Sequence, residues 1–138
     1  MSGASDPGDW IEKARQDARS ARRLLADPPE LEDAAFHVHQ AVEKAAKALL
    51  VADGIRYPRG RGAGHDLVAL ARLIPTTHPL HAPASRLSDL TPWATAFRYP
   101  VDDPLTSEPL PTTEEIVRRL VETEMFVEAV ARQVGATR

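Results

Sequence analysis

Apolar residues recur along this chain at steps of three and four, the spacing of one face of an α-helix, and nowhere at the alternation of a strand. From about Pro7 to Ala26 the buried stripe is Trp10, Ala14, Ala18, Ala21 and Leu25. Asp6 is the expected N-cap with Pro7 at the first helical position, and Asp27-Pro28-Pro29 stops the helix. A second, longer helix is expected from about Glu30 to Asp53, with Leu31, Ala34, Val38, Ala41, Val42, Ala45 and Leu49 on one face and Gly54 just past its end. A polar stripe of His37, Gln40, Lys44 and Lys47 runs beside that face.

Tyr57 to Gly64 alternates glycine with other residues and cannot be a regular element. A short third helix follows, from about His65 or Asp66 to Ile74, with Leu67, Leu70, Ala71 and Ile74 inward, His65 as a candidate cap and Pro75 ending it. Leu80, Ala84, Leu87, Trp93, Ala94 and Phe97 keep helical phase across Pro92, which predicts a fourth helix over roughly Ala84–Phe97, kinked or restarted with Thr91 as a new cap. Val101 to Pro111 is an acidic, proline-bearing loop. Thr112 and Glu115 form a capping box for a fifth helix carrying Ile116, Leu120, Val127, Val130 and Val134, with Gly135 closing it. The sum is an all-α, up-and-down bundle of about five helices in a single domain over 1–138, with 1–6 as a tail.

Composition narrows the partners. At 138 residues one hydrophobic core suffices. With no cysteine there is neither a disulfide nor a thiolate metal site. His37 and His39 point about 160° apart on a helix, so they cannot share a metal, and no cofactor is implied. A net charge of −3, from 17 basic and 20 acidic residues, argues against a dedicated duplex-binding protein. The N-terminus has no signal-peptide core and the longest apolar run, Ala48–Ala52, is far too short for a membrane span. The expected location is cytoplasmic.

The helix-two segment Phe36-His37-Val38-His39-Gln40-Ala41-Val42-Glu43-Lys44-Ala45-Ala46-Lys47-Ala48-Leu49-Leu50 resembles the signature of HEPN domains. The flanks agree in order: Trp10 before it, then Gly54, Tyr57 and Pro58, then His65-Asp66-Leu67, then Arg98-Tyr99-Pro100. The resemblance covers about Trp10 to Val134. It implies a helical bundle, usually a homodimer, associated with nucleotides or RNA and often encoded beside a small nucleotidyltransferase that it binds, as in toxin–antitoxin pairs. Other members of the family are ribonucleases, with an arginine followed a few residues later by a histidine and both subunits contributing.

That ribonuclease pair is missing from its expected place. At the required spacing after Arg98 stand Asp103, Pro104 and Leu105, and no histidine follows His81. Arg59 with His65 and Arg72 with His78 do satisfy the spacing, but with 17 basic residues and five histidines such matches arise readily by chance. His37, Gln40, Lys44 and Lys47 read either as a phosphate-facing groove or as a solvated helix face with Asp33–His37 and Glu43–Lys47 as ordinary i,i+4 pairs. Arg56, Arg59 and Arg61 are the concentrated basic cluster, able to fork around a phosphate or to lie on a plain surface loop. Arg98 and Tyr99 either line a cleft or serve structure, Arg98 pairing with Asp102 or Asp103. Trp10 and Trp93 sit in phase with their stripes and are expected in the core. The leading expectation is a non-catalytic binding module. The alternatives are a ribonuclease toxin with a displaced site and a purely structural helical partner.

Overall fold

The computed structural model describes residues 6–58, 66–97 and 109–135. Among the described residues, five α-helices and one 3-10 helix account for the regular structure and no strand occurs. Helix α1 spans Pro7–Leu24, α2 Leu31–Ala52, α3 Leu67–Leu73, α4 His81–Leu87 and α5 Thr113–Gln133, with the 3-10 helix Ser88–Ala94 between α4 and α5. The bundle is the all-helical architecture expected from the periodicity.

Local chemistry sets most of the ends. The Asp6 carboxylate accepts the Gly8 N–H at 2.8 Å and starts α1. Asp66 accepts from the N–H groups of Val68 and Ala69 and caps α3; His65 lies outside the described residues. Thr112 and Glu115 exchange side-chain and backbone bonds at 3.1 Å each, a complete capping box for α5. Gly54 (φ 70°) follows the C-cap of α2 in the left-handed region where only glycine is comfortable.

Helix α2 is the axis of the molecule. It packs along α1 and α5 and meets α3, α4 and the 3-10 helix. Alanines at the seam, Ala14, Ala18 and Ala21 against Ala34, Ala41 and Ala45, are all buried. Such small side chains permit the axes of α1 and α2 to approach closely. Ile11, Leu49, Leu50, Leu70, Ile74, Ile116 and Leu120 fill the core around them.

One element departs from expectation. Instead of a helix over Ala84–Phe97, the chain forms α4 from His81, ends it at Leu87 and continues as the 3-10 helix. Pro83 is tolerated because it sits in the first turn of α4, where its missing N–H has no partner to lose. Pro92 cannot serve the i→i−4 ladder, and a 3-10 helix accommodates it. Thr91 is not a cap: its hydroxyl donates to the Ser88 carbonyl at 2.8 Å and accepts the Leu67 N–H at 3.2 Å, tying the start of α3 to this segment.

Candidate functional site

The polar stripe of α2 faces other protein groups far more than water. His39, Gln40, Glu43 and Lys47 are all buried, and His37 and Lys44 are partly so. They separate into two clusters along the α1 side of the helix.

The first cluster centres on Asp17, a buried carboxylate on α1. The His37 Nδ1–H donates to its Oδ1 at 2.7 Å and the Lys44 ammonium to its Oδ2 at 2.6 Å. Two donors, an imidazole and an ammonium, therefore converge on one carboxylate, and Lys44 answers its charge. The second cluster centres on Glu43. Lys47 Nζ donates to Oε2 at 2.6 Å and Gln40 Nε2 to Oε1 at 3.4 Å, while His39 Nδ1 lies 3.8 Å from the same Oε1. The Lys47 ammonium is also stacked over two rings, 5.4 Å from the centroid of Trp10 and 5.3 Å from that of Tyr57. Glu43–Lys47 is thus the expected i,i+4 pair, though enclosed by two aromatics and not on a solvated face. Trp10 and Trp93 pack, partly buried, against the core.

This arrangement orders the α1–α2 seam. A free ammonium for a phosphate is not on offer at Lys47 unless the ligand displaces Glu43. His37 and Lys44 remain at the rim, with side chains 31% and 25% exposed. Arg56, just past α2, is exposed. Arg59, Arg61, His65, Arg98 and Tyr99 lie outside the described residues. Of the Arg72/His78 pair, Arg72 is exposed on α3, whereas His78 accepts the Leu80 N–H at its Nδ1 (3.0 Å) and turns Nε2 toward Asp53 at 3.9 Å. The neighbouring His81 donates from Nδ1 to the Ile74 carbonyl at 2.8 Å. Both histidines brace the proline-rich connection between α3 and α4.

Sequence reasoning passed over Asp17 and the part played by Glu43. Asp17 was detectable as a charge falling in phase with Ala14, Ala18 and Ala21, where an isolated carboxylate would be costly. Two further arginine forks hold α5 against α1: Arg15 to Glu128, both bonds at 2.8 Å, and Arg22 to Glu124 at 3.0 and 2.7 Å. The bond from Arg15, ahead of the burial that opposes it, holds the Glu128 carboxyl below the ordinary glutamate range and raises Arg15 in turn. Among the described residues there is no cluster of side chains that could hold a metal ion, and no helix is long and apolar enough to cross a membrane.

Among solved structures, the crystal structure of ST0689, an archaeal HEPN homologue, matches with a TM-score of 0.68 and 25% identity, over 94% of this chain and 98% of that one. No curated protein matches the chain. The HEPN domain matches residues 8–133, nearly the whole length, and with the helical order and the polar seam of α2 this places the chain in the HEPN domain family.

Proposed function

We propose that the chain is a non-catalytic HEPN module that pairs with a second copy of itself, partners a nucleotidyltransferase in a toxin–antitoxin-like arrangement, and contributes a basic site for a nucleotide or RNA. The observation that carries the non-catalytic part is the missing histidine after Arg98, where Asp103, Pro104 and Leu105 stand at the family's spacing. A general acid or base needs a ring nitrogen facing the reacting proton. Among the described histidines, His39 is enclosed beside Gln40 and Glu43, and the Nδ1 atoms of His37, His78 and His81 are engaged by Asp17, the Leu80 N–H and the Ile74 carbonyl. Past His81 the sequence has none to offer.

The binding part rests on charge. The chain is acidic overall, so a phosphate needs positive charge gathered locally. Lys47 and Gln40 are committed to Glu43, which leaves Arg59, Arg61 and Arg98 as the principal contacts, with His37, Lys44 and Tyr99 at the margin. Arginine forks suit phosphate oxygens.

The test is a titration of a fluorescent nucleotide and of a short single-stranded RNA against wild type and an Arg59→Ala/Arg61→Ala/Arg98→Ala variant, at low and moderate salt. Binding that weakens steeply with salt and drops about tenfold or more in the variant is expected. Equal affinity of the two proteins would remove these arginines, and no binding by the wild type would leave the structural-partner reading. Co-purification with a nucleotidyltransferase expressed from a neighbouring gene tests the partner.

A further inference from the structure

Helix α5 buries Ile116, Leu120, Val127 and Val130 and turns a different stripe outward. At steps of four and three, that stripe is Glu114, Arg118, Val121, Met125, Glu128 and Arg132. Val121 is 44% and Met125 68% exposed, with Val117 beside them at 38%. An open groove of about 680 Å³ runs along this ridge, with Pro83, Arg86 and Leu87 of α4 on one side. Among the described residues nothing covers it.

We propose that the outer face of α5 is the seat of a second copy of this chain, α5 packing antiparallel against α5 about a two-fold axis level with Thr123. The proposal rests on the homodimer part of the reading above and names its surface and direction. The alternating spacing is that of the two core positions of a coiled-coil seam. Read antiparallel, the stripe is its own complement: Glu114 meets Arg132 and Val121 meets Met125, each twice, while Arg118 faces Glu128, which is already forked to Arg15 of its own chain. Read parallel and in register, it would set glutamate on glutamate and arginine on arginine. A surface that complements itself under a two-fold is what an isologous dimer requires.

Two glutamates flank the apolar centre, and each is already neutralised within its own chain. Glu124 Oε1 lies 2.7 Å from Arg22 and Glu122 Oε1 3.1 Å from Arg119. The outer Glu–Arg pairs stay at the wet rim and set direction more than affinity. The 21 residues of α5 run about 32 Å, so a strip about 10 Å wide covers roughly 320 Å². A stable interface buries roughly 800 Å² per partner, so the α4 wall with Pro83 and Arg86 must also be covered. Met125 is long and flexible enough to fill the groove beside that wall.

Light scattering of the full chain across micromolar concentrations should show reversible dimerisation. Met125→Glu should weaken it about tenfold or more while leaving helicity unchanged, and melting unchanged at dilutions where both proteins are monomeric. Glu114→Arg alone should weaken it, and Glu114→Arg/Arg132→Glu should restore it. Direction is read from a Glu114→Cys/Arg132→Cys variant, which is clean because the chain has no other cysteine. Within one chain the two positions stand about 27 Å apart on the helix, so a 114–132 disulfide under mild oxidation must join two chains antiparallel. Links of 114 to 114 and 132 to 132 would overturn the direction. A wild-type dimer indifferent to Met125→Glu would overturn the surface and leave the homodimer reading standing. A wild-type monomer throughout would overturn both.

Discussion

The Lys47 ammonium is held by a carboxylate at 2.6 Å and by the faces of two rings, in a setting from which water is largely removed. Taking a charge out of water is costly, and the pair is tolerable only because each charge answers the other. Removing one partner is therefore worse than removing both. Glu43→Ala leaves the ammonium buried and should lower stability by about 3–5 kcal/mol. A Glu43→Leu/Lys47→Met variant, with no charge to satisfy, should recover much of that loss in urea unfolding. If the double variant were no more stable than Glu43→Ala, electrostatic pairing would not be what Glu43 contributes. The helical phase of this stripe was legible in the sequence, because a step of three or four needs only neighbouring residues. Its burial was not. Whether a polar stripe meets water or another helix depends on Asp17, whose partner Lys44 is 27 residues further along the chain.

At the scale of elements, the ends of helices were legible for the same local reason, and the break after α4 was not. Asp6, Gly54 and the Thr112/Glu115 box act within a turn of their own helix. Leu87 and Ala94 keep apolar phase across Pro92, so periodicity alone cannot distinguish a kinked α-helix from an α-helix that passes into a 3-10 turn. Thr112→Ala removes the hydroxyl that accepts the Glu115 N–H and should cost about 1 kcal/mol, roughly 4 °C in melting temperature for a chain of this size. The docking of α5 on α1 should in turn depend on pH. Glu128 ionises at lower pH in the fold than in the unfolded chain, because Arg15 binds its charged form. The stabilisation is thus fully present above the unfolded value near 4.3 and is lost as pH falls through the lower, folded value. Thermal melts from pH 6 downward should show a falling transition below about pH 5, and Glu128→Gln should make that fall shallower. An equal slope in wild type and variant would assign the acid sensitivity to other carboxylates.

For the whole molecule, the decisive question is whether this HEPN bundle can cut RNA. Cleavage by the family's arginine–histidine chemistry needs a histidine that can exchange a proton with the ribose or the leaving oxygen, and an arginine close enough to hold the phosphate. No histidine follows Arg98 at the required spacing. Of the displaced pairs, Arg72/His78 places its histidine between the Leu80 N–H and Asp53, so both ring nitrogens already have polar neighbours. Arg59/His65 lies outside the described residues and has only its spacing in its favour. Dimerisation through α5 would bring two copies of each helix together without adding a histidine that the chain lacks. The expected outcome is that purified protein, at concentrations where the proposed dimer would form, leaves a labelled single-stranded RNA intact over hours. The control that matters is a His65→Ala/His78→Ala variant prepared in parallel, since a contaminating nuclease would act equally in both samples. Cleavage by wild type that disappears in this variant would establish a displaced active site and defeat the non-catalytic reading, whereas the same faint cleavage in both would come from neither His65 nor His78.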